Sequence, residues 1–182
     1  ENLRDKAGNF LELFTVLSVG FVLLASEVYR YVYVSRDFWG STMLIPIFVS
    51  SYYTNFLCTF PVNFEYYHKK TKVVSIITIV SSLINVGLNY LLILRIGMAG
   101  AAVATLISHS LQLTLHYLYV RFALGGKEYP FPLKMWGGYA AVFAAVAVAS
   151  VAADGLWLAR WGLGAAVGLW ELLRIRKRKV LI

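Results

Sequence analysis

The chain has 182 residues, of which 59% are hydrophobic, 15% aromatic and only 14% charged. Water-soluble domains carry about 25% charged residues, so this composition excludes a surface that faces water throughout, and the net charge of +8 reads as membrane topology and not as nucleic-acid binding. The single cysteine, Cys58, excludes a disulfide framework and a cysteine-based metal motif.

Apolar runs of about 20 residues, the length that crosses a bilayer core, recur along the chain. They predict an all-α fold, a polytopic transmembrane helical bundle with six spans at about 8–26, 41–64, 73–94, 98–120, 135–153 and 155–173. The chain opens on Glu1 without the layout of a signal peptide. Its first apolar run starts near Phe10, as if continuing from something upstream, so the expectation is the C-terminal part of a longer protein.

The first span carries one early acid, Glu12. The second carries Ser51, Asn55, Cys58, Thr59 and Asn63, with Pro46 and Pro61 as expected bends. Glu65 follows in "NFEYYHKKTK", where two readings stand: an exposed carboxylate paired with Lys69 and Lys70, or a partly buried one that couples to protons or cations. Lys69, Lys70 and Lys72 either anchor topology or contact a pyrophosphate at the membrane surface.

The third span places Ser75, Thr78, Ser82, Asn85 and Asn89 at steps of three and four, and the fourth does the same with Thr105, Ser108, His109, Gln112 and His116. Such spacing puts each set on one helix face. Unpaired polar groups are costly in lipid, so these faces look inward, either bonding helix to helix or lining a cavity shared by three spans. The substrate-cavity candidates are Asn55, Asn63, Ser82, Asn85, Asn89, Thr105, Gln112 and His116, and the charge candidates are Glu65, Lys69 and Lys70. Between the two spans, Arg95, Gly97 and Gly100 mark a tight turn whose glycines let the helices approach closely.

"EYPFPLK", near the end of the connection at 121–134, reads as a loop. The fifth span is small and apolar, and the sixth contains a Gly164–Gly168 pair; both are expected to pack closely and to carry no chemistry. Trp39, Trp136, Trp157, Trp161 and Trp170 fall near span ends, as an interfacial aromatic belt requires. The basic tail, 174–182, reads as a cytoplasmic anchor. If the spans alternate, Arg30, Arg36, Arg95 and Arg160 lie on one side and the other thirteen basic residues on the opposite one. By the positive-inside rule both termini are then cytoplasmic.

No phosphate loop, nucleophile elbow or zinc motif is present, and the hairpin with His109 and His116 contains no acid to complete a metal site. No catalytic residue, metal or cofactor is assigned. The only external acids, Glu27, Asp37 and Asp154, are scattered.

Residues 64–109, "FEYYHKKTKVVSIITIVSSLINVGLNYLLILRIGMAGAAVATLISH", resemble the bacterial polysaccharide (O-antigen type) flippases of the MOP exporter superfamily. The matching residues are Tyr66 to Lys72, the paired Asn85 and Asn89, Gly97, and Gly100 to Ser108, about a quarter of the chain. Family members often have Pro before the basic turn residue where this chain has Leu94, so the third span is expected to run on toward Arg95. The resemblance implies a multi-pass protein of the bacterial inner membrane. It would move a lipid-linked oligosaccharide across the bilayer by alternating access, often driven by H+ or Na+, and this chain would supply most of a C-terminal lobe while the N-terminal lobe lies upstream. The rivals are a related multidrug antiporter, an integral glycosyl- or acyltransferase, and a non-transporting scaffold.

Overall fold

In the computed structural model the described residues are 3–29, 36–125, 129–131, 133–152, 156, 158, 160–166 and 169. All regular structure among them is helical: α1 (Leu3–Val28), a 3₁₀ segment (Arg36–Leu44), α2 (Ile45–Tyr67), α3 (Thr71–Ile96), α4 (Met98–Phe122) and α5 (Leu133–Ala152). Lipid offers the backbone no partners, so each N–H and C=O must bond within its own helix; this overrides the β-branched run from Val73 to Ile77. Among the described residues, four helices are long and apolar enough to cross a membrane, over Lys6–Val28, Gly40–Tyr67, Thr71–Ile96 and Met98–Phe122. The apolar part of α5, Trp136–Ala152, is shorter. The tail at 174–182, part of the span expected at 155–173, Arg30, Lys127, Asp154, Trp157, Trp170 and Gly168 lie outside the described residues.

Pro46 occupies the first turn of α2, where a missing N–H costs no helical bond, and α2 continues through Pro61. α3 extends past Leu94 and Arg95 to Ile96.

The chain divides into two compact units, Glu1–Val49 with Gly137–Ile182, and Ser50–Trp136. In the first unit Leu11, Val19, Val22 and Leu23 of α1 are buried. Gly164 lies against the same helix: a Cβ placed there would sit 3.5 Å from Leu24 Cδ2.

In the second unit α3 and α4 form an antiparallel hairpin. The turn is Gly97, at φ +63° and ψ −142°, a conformation reserved almost entirely for glycine. Three residues on, Gly100 is buried against the carbonyl of Leu92. The two glycines therefore do different work: one reverses the chain, the other lets the two backbones touch.

α2 ends in a Schellman motif: Lys70 N–H donates to Glu65 O at 2.9 Å and Lys69 N–H to Tyr66 O at 2.9 Å. Lys69 takes the left-handed position at φ +58°, where a side chain is strained. Lys69→Gly is expected to raise the stability of the intact protein by about 1 kcal/mol, read as a higher denaturation midpoint; an unchanged or lowered midpoint would refute the strain.

Candidate functional site

The polar stripes of α3 and α4 meet along the hairpin. Asn85 Nδ2 donates to Ser108 Oγ at 3.2 Å, and Gln112 Nε2 to Thr78 Oγ1 at 3.4 Å. Asn89 Nδ2 reaches back one turn to Asn85 Oδ1 and Asn85 O, both at 2.9 Å, so the two amides form one linked unit. Thr105 and Ser108 return their hydroxyls to the carbonyls of Ala101 and Ala104. Part of what reads as a cavity stripe is thus used to bond helix to helix. Asn85, Asn89, Thr105 and Gln112 are half-buried, whereas Ser82, Asn55 and Asn63 are exposed.

α4 is tied to α2 by its two histidines. His109 Nδ1 lies 2.9 Å from the carbonyl of Ser51; since a carbonyl only accepts, Nδ1 carries the proton. His116 and Glu65 are both wholly buried, and His116 Nδ1 lies 2.9 Å and 3.0 Å from the two carboxylate oxygens. One N–H is therefore shared between both oxygens. Glu65 does not make the exposed pairs with Lys69 and Lys70, which project from the turn as exposed residues. Its side chain, two residues before the end of α2, points inward to α4 instead. An acid absent from the hairpin is supplied by the preceding helix, and two sequence candidates become one site.

Aromatic rings close over this end of the unit. Phe64 packs on His68 at 4.5 Å and on Tyr129 at 5.2 Å, Tyr117 lies 6.4 Å from Tyr129 and 5.7 Å from Trp136, and Phe131 lies 5.2 Å from Phe60. Trp136 is buried here. Burial, reinforced by Tyr117, Cys58 and Glu65, holds the Tyr129 phenol well above its usual pKa, so it stays a neutral hydroxyl. Sequence reasoning missed Tyr129, hidden in a proline-rich loop; the available signal was that "EYPFP" alternates aromatics with prolines where a plain surface loop would be polar.

A second buried ion pair lies in the first unit. Arg160 donates to Glu27 Oε1 at 3.0 Å and to Val22 O at 3.3 Å, with both side chains almost wholly buried. Glu27, read from the sequence as one of several scattered acids, is thus held by a specific basic partner from the region expected as the sixth span. The legible clue was a lone acid and a lone base at span ends on the same expected side. Glu12 is buried as well, in the same unit, and has an interaction partner.

No protein-family model, curated protein or solved structure matches this chain.

Proposed function

We propose that the chain is the C-terminal portion of a bacterial inner-membrane flippase that translocates a lipid-linked oligosaccharide by alternating access, with six spans and cytoplasmic termini, and that Glu65 with His116 is its proton-carrying site. The observation that carries the proposal is the bonded Glu65–His116 pair, wholly buried among helices of membrane-spanning length. Ionisable groups buried inside membrane-spanning bundles are expensive and concentrate on substrate and ion pathways. With Glu65 ionised and His116 neutral the pair holds a net negative charge; one added proton makes it neutral. That change in a low-dielectric interior is large enough to bias one packing arrangement over another.

The amides and hydroxyls of the helical faces supply the rest of the reading. A sugar requires many neutral hydrogen-bond partners, which the exposed Asn55, Asn63 and Ser82 offer, while a lipid tail needs only the bilayer. The resemblance of residues 64–109 names the substrate class. A multidrug antiporter is the second reading, favoured by one observation: a buried acid in a unit rich in packed aromatic side chains suits an organic cation.

The test is transport by the intact protein in proteoliposomes under an imposed pH gradient. Lipid-linked oligosaccharide is expected to cross, with Glu65→Gln abolishing the dependence on the gradient. Gradient-driven transport unchanged by Glu65→Gln would remove the coupling role. Export of organic cations without movement of the lipid-linked sugar would replace the flippase by the antiporter.

A further inference from the structure

The transport role makes no use of four exposed cations, Lys69, Lys70, Lys72 and Arg121. The register that sets Leu92 against Gly100, Asn85 against Ser108 and Thr78 against Gln112 brings the start of α3 level with the end of α4. All four cations therefore stand at one end of the second unit. None of their side chains is bonded to another described residue, and the described acid nearest to them in the chain, Glu65, is buried and committed to His116. Nor do the helix ends occupy them. The carbonyls of Phe64, Glu65 and Tyr66 accept the backbone N–H groups of His68, Lys70 and Lys69, and that of Tyr119 accepts those of Ala123 and Leu124.

The outer face of α3 begins at one of these cations. Lys72, Ile76, Ile79, Leu83, Val86 and Tyr90 follow one another at steps of three and four, which places them on a single helix face, and all six are exposed. Val74 and Ser81, on the opposite side, are buried, and Asn85 bonds α4. A cation thus heads an apolar stripe. From Ile76 to Val86 the stripe runs about 15 Å, about the depth of one hydrocarbon leaflet. At the same end Tyr67 is 82% and Phe122 79% exposed, aromatic rings of the kind that sit at headgroup level.

We propose that this end of the second unit binds an anionic phospholipid of the bilayer, with the headgroup phosphate held by Lys69, Lys72 and Arg121 and an acyl chain laid along the exposed face of α3. Unpaired positive charge without a competing carboxylate is complementary to an anionic headgroup. The stem of Lys72 can lie over Ile76 while its ammonium reaches the phosphate. A soluble phosphate would use the cations alone, whereas a phospholipid matches both the charge and the apolar stripe that continues from it. The proposal needs helices of membrane-spanning length and is independent of the flippase reading.

The experiment is native mass spectrometry of the intact protein in detergent, titrated with phosphatidylglycerol or with phosphatidylcholine of the same acyl chains. Phosphatidylglycerol is expected to bind more tightly. Lys72→Gln should weaken it about fivefold and Lys69→Gln/Lys72→Gln/Arg121→Gln about a hundredfold, with phosphatidylcholine binding and the unfolding midpoint unchanged, since all three side chains are exposed. Leu83→Asn, which interrupts the stripe and leaves every cation in place, should weaken both lipids. Arg95→Gln removes one exposed charge from the other end of α3 and should have little effect. Equal binding of the two lipids, or a loss in Arg95→Gln as large as in Lys72→Gln, would overturn the proposal. Displacement of phosphatidylglycerol by equimolar inorganic pyrophosphate, with Leu83→Asn silent, would replace the lipid site by a free-phosphate site.

Discussion

His116→Leu is expected to destabilise the intact protein by about 3–5 kcal/mol, and Glu65→Leu by a similar amount, because each leaves a buried polar partner with nothing to bond. The two side chains bury together, so neither can find water when the other is gone. The double variant Glu65→Leu/His116→Leu should recover most of that loss, since apolar side chains of comparable volume satisfy a buried site about as well as an ion pair does. Under the proposed flippase role, transport should behave differently: absent in both single variants and still absent in the double one. A double-variant cycle on thermal or denaturant unfolding reads the first half and the proteoliposome assay the second. Additive losses of stability would show that the two groups are not bonded to each other; transport restored in the double variant would make the pair purely structural.

Gly100→Ala is expected to disrupt the α3–α4 hairpin at a cost of about 1–3 kcal/mol or more. A Cβ at this position overlaps the carbonyl of Leu92 and comes within 2.7 Å of Ile93 N. Both obstacles are backbone, which cannot swing aside as a side chain does, so the helices must separate. Separation lengthens the bonds from Asn85 to Ser108 and from Gln112 to Thr78, the latter already at 3.4 Å. The expected readout is a lower unfolding midpoint. Gly87→Ala in the middle of α3 serves as the comparison: a Cβ there meets nothing within 4 Å, and alanine is the better helix former, so its midpoint should not fall. Equal effects at the two glycines would show that close backbone approach plays no part.

The turn and its contact were legible because glycine has few reasons to stand at Gly97 and Gly100 between two long apolar runs. The pairing of the stripes was legible in part: steps of three and four mark a face, and two helices joined by a single residue have to present their faces to each other. Which stripe residues stay available was not legible. Asn85 and Ser108 bond across the hairpin while Asn55 and Asn63 remain exposed, a distinction set by helix rotation, on which spacing within one helix is silent. Glu65 illustrates the harder case. Its sequence neighbours Lys69 and Lys70 offer a local explanation, and its true partner is 51 residues away on a helix that is not its neighbour in the chain.

By itself the sequence determined the class of environment and the unit of construction. So little charge and such long apolar runs leave the backbone no solvent to bond with, and helices are the answer that hydrocarbon enforces locally. Only the tertiary structure decided where the few charges go. Glu65 turns to His116 and Glu27 to Arg160 because a buried charge is stable only against a specific partner, and partners are chosen by how helices pack, across distances in the chain that local physics does not span.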